Sequence, residues 1–251
     1  MGSRLTHGSL FSGIGGFELG AEWAGIKTLW NCEIEEFQRS ILKKHFPNAK
    51  QHTDIRELKN PEYVDIVSGG FPCQDISNAN ANAKGIKGER SGLWSEMFRV
   101  IRDIRPKYVL AENSPMLLNR GFEQVLCDLS SIGYDVEWQC LSNYQFGSIH
   151  KRNRVYVIAY PLCIGTKGRV FKSIGFNEIK QTWREDRKSF SDKVYTTGYF
   201  EAGGKSIGEP TLIRKDDRVS RQLDRTHSLG NSVKPQIAQY LFECIKQHNG
   251  K

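Results

Sequence analysis

Leu5-Thr-His-Gly-Ser-Leu-Phe-Ser-Gly-Ile-Gly-Gly16 begins as a short apolar stretch and runs into a glycine-rich turn. Phe17-Glu-Leu-Gly-Ala-Glu-Trp-Ala-Gly25 follows at once, reads as a helix, and stops at a glycine. Strand, glycine turn and helix in that order open an α/β unit. Glycines in such a turn let the backbone approach a ligand closely. A dinucleotide fingerprint would need a third glycine at position 18, where Glu18 stands, and this argues against a nicotinamide cofactor.

The same alternation continues outward. Thr28–Cys32 reads as a strand, and Glu35–Phe46 as a helix carrying Phe37, Ile41, Leu42 and Phe46 on one face and ended by Pro47. Val64–Ser68 reads as a buried strand running into Gly69-Gly70, Leu93–Ile104 as a helix ended near Pro106, and Tyr108–Ala111 as a strand. Phe122–Ile132 is helical up to Gly133, and Asp135–Leu141 and Val155–Ala159 are further strands. Short strands alternating with helices predict an α/β fold, with a mostly parallel, Rossmann-like sheet and helices on both faces. Ligands of such folds bind beyond the carboxyl ends of the strands. Phe11–Gly16, Cys32-Glu33, Gly69–Cys73 and Glu112–Pro115 all follow a predicted strand. From Leu162 to about Arg225 the hydrophobic period fades, which predicts a small, loop-rich domain over 161–226 inserted in a domain made of 1–160 and 227–251. The pattern returns at Pro235–Gln247, where Ile237, Tyr240, Leu241, Cys244 and Ile245 form one apolar helical stripe.

Charge follows this division. The chain of 251 residues has a formal net charge of +8. Residues 1–160 hold 19 basic and 18 acidic side chains, residues 161–226 hold 14 and 9, and the last 25 hold 3 and 1. A basic segment on a near-neutral body suits a polyanionic partner, and Arg169, Lys172, Arg184, Arg187 and Lys188 are candidate backbone contacts. No run approaches a membrane span, and Met1–Gly8 lacks the apolar core of a signal peptide, so a cytoplasmic protein is expected. The six cysteines form no CxxC pair, which argues against zinc and disulfide frameworks. Five of them read as buried apolar thiols.

Cys73 is the sixth. Gly69-Gly-Phe-Pro-Cys-Gln74 sets it just past a strand on a Gly/Pro-shaped turn, where a nucleophilic thiol belongs. Glu112-Asn-Ser-Pro115 lands on the same edge. Glu33, about twenty residues after the glycine turn, suits ribose hydroxyls or a helix N-terminus equally well. His150-Lys-Arg-Asn-Arg154 precedes a strand, and alternation aims Arg152 and Arg154 the same way.

Phe11–Gly16, Gly70–Gln74, Glu112-Asn113, Arg152/Arg154 and Gly230–Val233, in that order, resemble the motifs of the cytosine-5 DNA methyltransferases. The resemblance spans almost the whole chain apart from the basic insert. Two positions depart from the commonest pattern: His150 stands where glutamine is usual, and Ser114 where valine is usual.

The resemblance implies an S-adenosylmethionine-dependent catalytic domain with a small target-recognition domain. It implies a monomer acting on double-stranded DNA, with no metal, in a restriction–modification, phage or orphan setting in a bacterial host. It makes Cys73 the nucleophile toward carbon 6 of a flipped cytosine, Glu112 the acid at ring nitrogen 3, and Arg152 and Arg154 the holders of the base carbonyl. For the cofactor it implies Phe11 on the adenine face, Glu33 on the ribose and Asp54-Ile55 at the adenine edge. Gly13, Ile14, Gly15 and Gly16 form the turn, with Ile34, Pro72, Asn231, Ser232 and Val233 completing the site. Asp54 also reads as a simple helix cap. Gln74 and Ser77 are candidate DNA contacts in a lid over Gln74–Gly92. The same motifs serve a branch of the family that modifies tRNA, and a non-catalytic DNA-binding homologue is the third reading.

Overall fold

The computed structural model describes residues 4–72, 92–148, 152–165, 168–171 and 232–250. The chain divides into two units, Met1–Lys172 with His227–Lys251, and Ser173–Thr226. The described residues all belong to the first. The predicted target-recognition domain lies almost wholly outside them.

The first unit is a seven-stranded sheet. Its strands are β1 (Thr6–Leu10), β2 (Lys27–Cys32), β3 (Lys50–His52), β4 (Ile66–Gly69), β5 (Tyr108–Asn113), β6 (Tyr134–Ser142) and β7 (Asn153–Pro161). Their order is β3-β2-β1-β4-β5-β7-β6. The first five are mutually parallel, β7 runs antiparallel to β5, and β6 antiparallel to β7. The helices are α1 (Gly16–Trp23), α2 (Glu36–His45), α3 (Gly92–Ile104), α4 (Phe122–Ser131), the single turn α5 (Leu162–Gly165) and α6 (Pro235–Asn249). This is the Rossmann-like α/β fold expected from the alternation.

Strand alternation divides the core. Leu10, Val67, Val109, Ala111, Val157 and Ala159 face α3 and α4, packing with Met97, Val100, Ile101, Val125 and Leu129. On the other face His7 of β1 meets Phe242 of α6, and Phe17 of α1 meets the same ring. His7 is fully buried, with Nδ1 2.9 Å from the Thr28 hydroxyl and Nε2 2.7 Å from that of Ser68. Burial pushes its pKa down to about 3, so this imidazole stays neutral.

Three expectations change. β5 does not stop at Ala111. The ladder to β7 carries it to Asn113, so Glu112 lies within the strand, opposite Tyr156. β3 is too short and polar to read from sequence, and forms because β2 offers it a free edge at Trp30–Cys32. Only Cys32 and Cys244 among the described cysteines are buried; Cys127, Cys140 and Cys163 are exposed. Cys140 sits on the edge strand β6, and Cys127 lies off the buried stripe of Phe122, Val125 and Leu129 on α4. No helix among the described residues is long and apolar enough to cross a membrane.

The last segment of the chain closes on the first helix through two glycines. A Cβ on Gly16 would stand 2.3 Å from the Val233 carbonyl oxygen. A Cβ on Gly20 would stand 2.5 Å from the Ala238 methyl and 2.8 Å from the Gln239 nitrogen. The obstruction is backbone, which cannot swing aside. Gly20→Ala is therefore expected to cost about 1–3 kcal/mol of stability, read as a lower urea midpoint at unchanged slope.

Glu18, in the first turn of α1, is completely buried, and neither carboxyl oxygen has a well-formed hydrogen bond. Burial pushes its pKa up to about 7, only partly offset by the neighbouring Ser12 and Ser9 hydroxyls. The folded chain thus binds a proton that the unfolded chain releases near 4.5. This contribution is full at acid pH and is lost as pH rises through about 7. Glu18→Gln should flatten that decline when denaturation midpoints at about pH 5 and pH 8 are compared. An equal decline in the variant would assign it to other groups.

Candidate active site

Glu112 is the centre of the site. Its β5 position buries it to 7% exposure, and Arg154 Nε lies 2.9 Å from its Oε1. Arg154 comes from the second residue of β7 and Arg152 from just before that strand. Because β7 is antiparallel to β5, its beginning lies at the same sheet edge as the ends of the parallel strands. Both guanidiniums act on Glu112. Burial pushes its carboxyl pKa up, while Arg154 and then Arg152 pull it back. Arg152 donates from Nη1 to the Ser232 carbonyl at 3.0 Å, and its Nε is buried without a partner. Burial, then the like charge of Arg154, lowers its pKa below the usual arginine range.

Asn113 follows on the same strand, 3% exposed, and its amide donates to the Phe71 carbonyl at 3.0 Å. It thereby ties the end of β5 to the Gly70–Pro72 segment that leads into position 73. Phe71 is anchored in turn against the Trp94 ring of α3, 5.1 Å between centroids.

From Glu112 a cavity of about 700 Å³ extends along the strand ends. Of the expected cofactor residues, Phe11, Gly13, Glu33, Ile34, Asp54, Ile55, Pro72, Ser232 and Val233 line it. Ile14, Gly15 and Gly16 do not. Gly15 turns toward Leu42 of α2 and Phe46 just after that helix, and Gly16 toward Val233, so these glycines shape the turn from behind. Phe11 takes a left-handed backbone, φ 52°, unusual for a bulky residue and a mark of a strained functional turn. Glu33 combines a place on the cavity wall with hydrogen bonds to the backbone around it. It lines the cavity, and its carboxylate accepts from Gly13 N at 2.7 Å and from Glu35 N at 2.9 Å at the start of α2. Asp54 likewise lines the cavity and caps the short turn Ile55–Glu57. The Arg56 guanidinium beside it holds its carboxyl below the usual range.

Sequence reasoning passed over several lining residues. Ser12 and Phe17 belong to the glycine turn and α1, and their adjacency to Gly13 was the available signal. Leu93, Ser95 and Glu96 come from the first turns of α3, a helix N-terminus that no strand-end rule reaches. Cys32 also lines the cavity, but burial, then the charges of Glu33 and Asp54, pushes its thiol up to about 12, so it stays protonated. Cys73, Gln74, Ser77 and Asn231 lie outside the described residues. Among the described residues no His/Cys/Asp/Glu cluster is arranged to hold a metal ion.

The size of the cavity suits a mid-sized ligand, and its wall carries several carboxylates and one guanidinium, Arg56. Aromatic rings (Phe11, Phe17) meet carboxylates at 33, 54 and 96, and Glu33 lies on the wall at a strand end.

Comparisons with known proteins agree with this geometry. Residues 5–195 match the profile of the C-5 cytosine-specific DNA methylase family. The chain is 39% identical over 159 residues, 60% of this chain and 41% of the relative, to the type II methyltransferase M2.BsuMI of Bacillus subtilis. It is 32% identical over 233 residues, 89% of this chain and 60% of the relative, to the type II methyltransferase M.NgoFVII of Neisseria gonorrhoeae. The chain spans about half the length of the curated relatives it matches. In fold it is similar to the Entamoeba histolytica methyltransferase EhMeth, with a TM-score of 0.62 at 19% identity over 98% of this chain and 99% of that one.

The charge balance at Glu112 yields a direct expectation. Arg154→Met removes the nearest cation and leaves burial less opposed, so the Glu112 carboxyl should titrate at higher pH. Carbon-13 NMR of glutamate-labelled protein follows this. An unmoved titration would mean that burial alone governs the group.

Proposed function

The chain belongs to the C-5 cytosine-specific DNA methylase family, and from that premise we propose that it methylates carbon 5 of cytosine within a short double-stranded DNA sequence. The observation that carries this reading is the buried Glu112, 2.9 Å from Arg154, at the wall of a cavity that also holds Phe11, Glu33 and Asp54. In this reading the cavity would hold S-adenosylmethionine, with Phe11 and the Asp54-Ile55 turn available to its adenine, Glu33 to its ribose, and Gly13 and the 231–233 segment to its remainder. Bound there, it supplies an electrophilic methyl group on a sulfonium.

The residues of the chain do the rest. Carbon 5 of cytosine is a poor nucleophile until the ring is converted to an enamine. The Cys73 thiolate forms a bond to carbon 6, and the ring electrons shift toward nitrogen 3. Glu112, whose carboxyl burial pushes toward the protonated form against the pull of Arg154 and Arg152, donates a proton there. Arg154 and Arg152 hold the base carbonyl and oppose the charge that builds on the ring. Carbon 5 would then take the methyl as its bond to the sulfonium breaks and leaves a neutral thioether; a base removes the carbon 5 proton, the Cys73 thiolate leaves carbon 6, and the nitrogen 3 proton returns to Glu112 to give neutral 5-methylcytosine. The target base must leave the duplex first, at an unstacking cost of about a few kcal/mol.

Residues 161–226 serve as the target-recognition part, and 1–160 with 227–251 as the catalytic and cofactor part. Gln74 and Ser77 contact DNA. The protein acts as a monomer without a metal, in the cytoplasm of a bacterium or of a phage's bacterial host, in a restriction–modification, phage or orphan setting.

The test is base-resolution sequencing of 5-methylcytosine in DNA from a methylation-free bacterial host expressing the chain. Methylated cytosines in one shared context are expected, with none for Cys73→Ala although the variant still binds S-adenosylhomocysteine. Methyl transfer by Cys73→Ala would overturn the covalent mechanism. Transfer to tRNA alone, in a parallel assay, would overturn the DNA assignment. DNA binding with no transfer to either polymer would mark a non-catalytic homologue.

A further inference from the structure

Asp54, Ile55 and the residues to Leu58 form a single tight turn on the cavity wall. Within the turn, Arg56 N donates to the Asp54 carboxylate at 2.9 Å, Glu57 N to the Asp54 carbonyl at 3.1 Å and Leu58 N to the Ile55 carbonyl at 3.2 Å, and the exposed Arg56 guanidinium donates to the Asp54 carboxylate at 2.6–3.0 Å. A turn of this length does not keep its shape unaided. Ile55 and Leu58 anchor it by their burial in the core, and one side chain from another element meets its carbonyl oxygens.

That side chain is Arg99, in the second turn of α3. Its Nη2 donates to the Ile55 carbonyl at 2.7 Å and its Nη1 to the Leu58 carbonyl at 2.9 Å, so one planar group spans both ends of the turn. Its Nε donates to Glu96 at 2.7 Å, and Asp103 lies 3.6 Å from Nη1, which fixes the guanidinium from its own helix. Glu96, one turn earlier on α3, is itself on the cavity wall, as are Asp54 and Ile55.

We infer that Arg99 is a positioning residue for the nucleobase of the cofactor: it holds the Asp54–Leu58 turn in the shape that presents Asp54 and the Ile55 backbone to the adenine edge. The inference rests on the reading of this turn as the adenine edge, and it concerns a residue that touches neither cofactor nor substrate. The guanidinium is required because two carbonyls must be met by parallel, coplanar donors. A lysine ammonium in the same place offers a point charge and cannot hold both in one plane.

The experiment is calorimetric binding of S-adenosylhomocysteine and S-inosylhomocysteine to the full chain and to Arg99→Lys. The two ligands differ only at the base edge, where inosine has an oxygen in place of the 6-amino group and a proton on N1, so that donor and acceptor positions are exchanged. The wild-type chain should prefer the adenosyl ligand by ~10-fold, the value of one well-made hydrogen bond. Arg99→Lys should weaken adenosyl binding while leaving inosyl binding nearly unchanged, so that the preference shrinks to about twofold. A general loss of packing would weaken both ligands equally and keep the preference, and that result would overturn the inference. No preference in the wild-type chain would overturn the adenine-edge reading itself, and the inference with it. Thermal melts confirm that the variant is folded. If it is not, Glu96→Gln, which keeps the guanidinium and removes its carboxylate anchor, carries the same comparison with a smaller expected loss of preference.

Discussion

The antiparallel pairing of β7 with β5 is the constraint on which the site depends. In a wholly parallel sheet, residues that precede a strand lie at the edge opposite the ligand. Reversing one strand beside β5 brings its first residues to the ligand edge. Arg152 and Arg154 thereby meet Glu112 although some forty positions separate them, and the register that sets Glu112 opposite Tyr156 determines which side chains can touch. The same ladder lengthens β5, so the carboxylate is held on a strand rather than a loop.

That rigidity matters for a carboxyl buried beside two guanidiniums. Burial alone favours the neutral carboxyl, and two guanidiniums alone would favour the anion. Glu112 experiences both, with burial the larger effect. A short movement of Arg154 shifts the balance strongly because little water is present to screen it. Arg152 is drawn the other way, toward the Ser232 carbonyl, and so joins the Glu112 end of the sheet to the 232–233 segment that also lines the cavity. The closing contacts at Gly16 and Gly20 bring that segment there. The end of the chain is therefore structural support for the beginning, and both are walls of one cavity.

Several side chains have two functions at once. Glu33 accepts from the glycine turn and from the start of α2 while facing the cavity, so ligand binding and loop geometry share one carboxylate. Asp54 caps its turn and is held by Arg56. In each case the bland structural reading and the functional one describe the same hydrogen-bonding capacity, since a carboxylate has more acceptor sites than one donor can fill.

Local chemistry in the sequence was sufficient for much of this. Alternating apolar and helical periods set the α/β class, the glycine turn marked the first strand end, and Glu33 and Glu112 stood out near predicted strand ends, whereas Asp54 was singled out only by the family resemblance. What the residues could not declare was direction and distance: that β7 runs against β5, that β3 forms at a free edge, that Cys127, Cys140 and Cys163 face outward, or that Arg99 spans a turn forty residues away. Periodicity reports which face of an element is apolar. Strand direction, edge pairing and the reach of an arginine are properties of neighbours distant in the chain, and only the folded sheet brings those neighbours together.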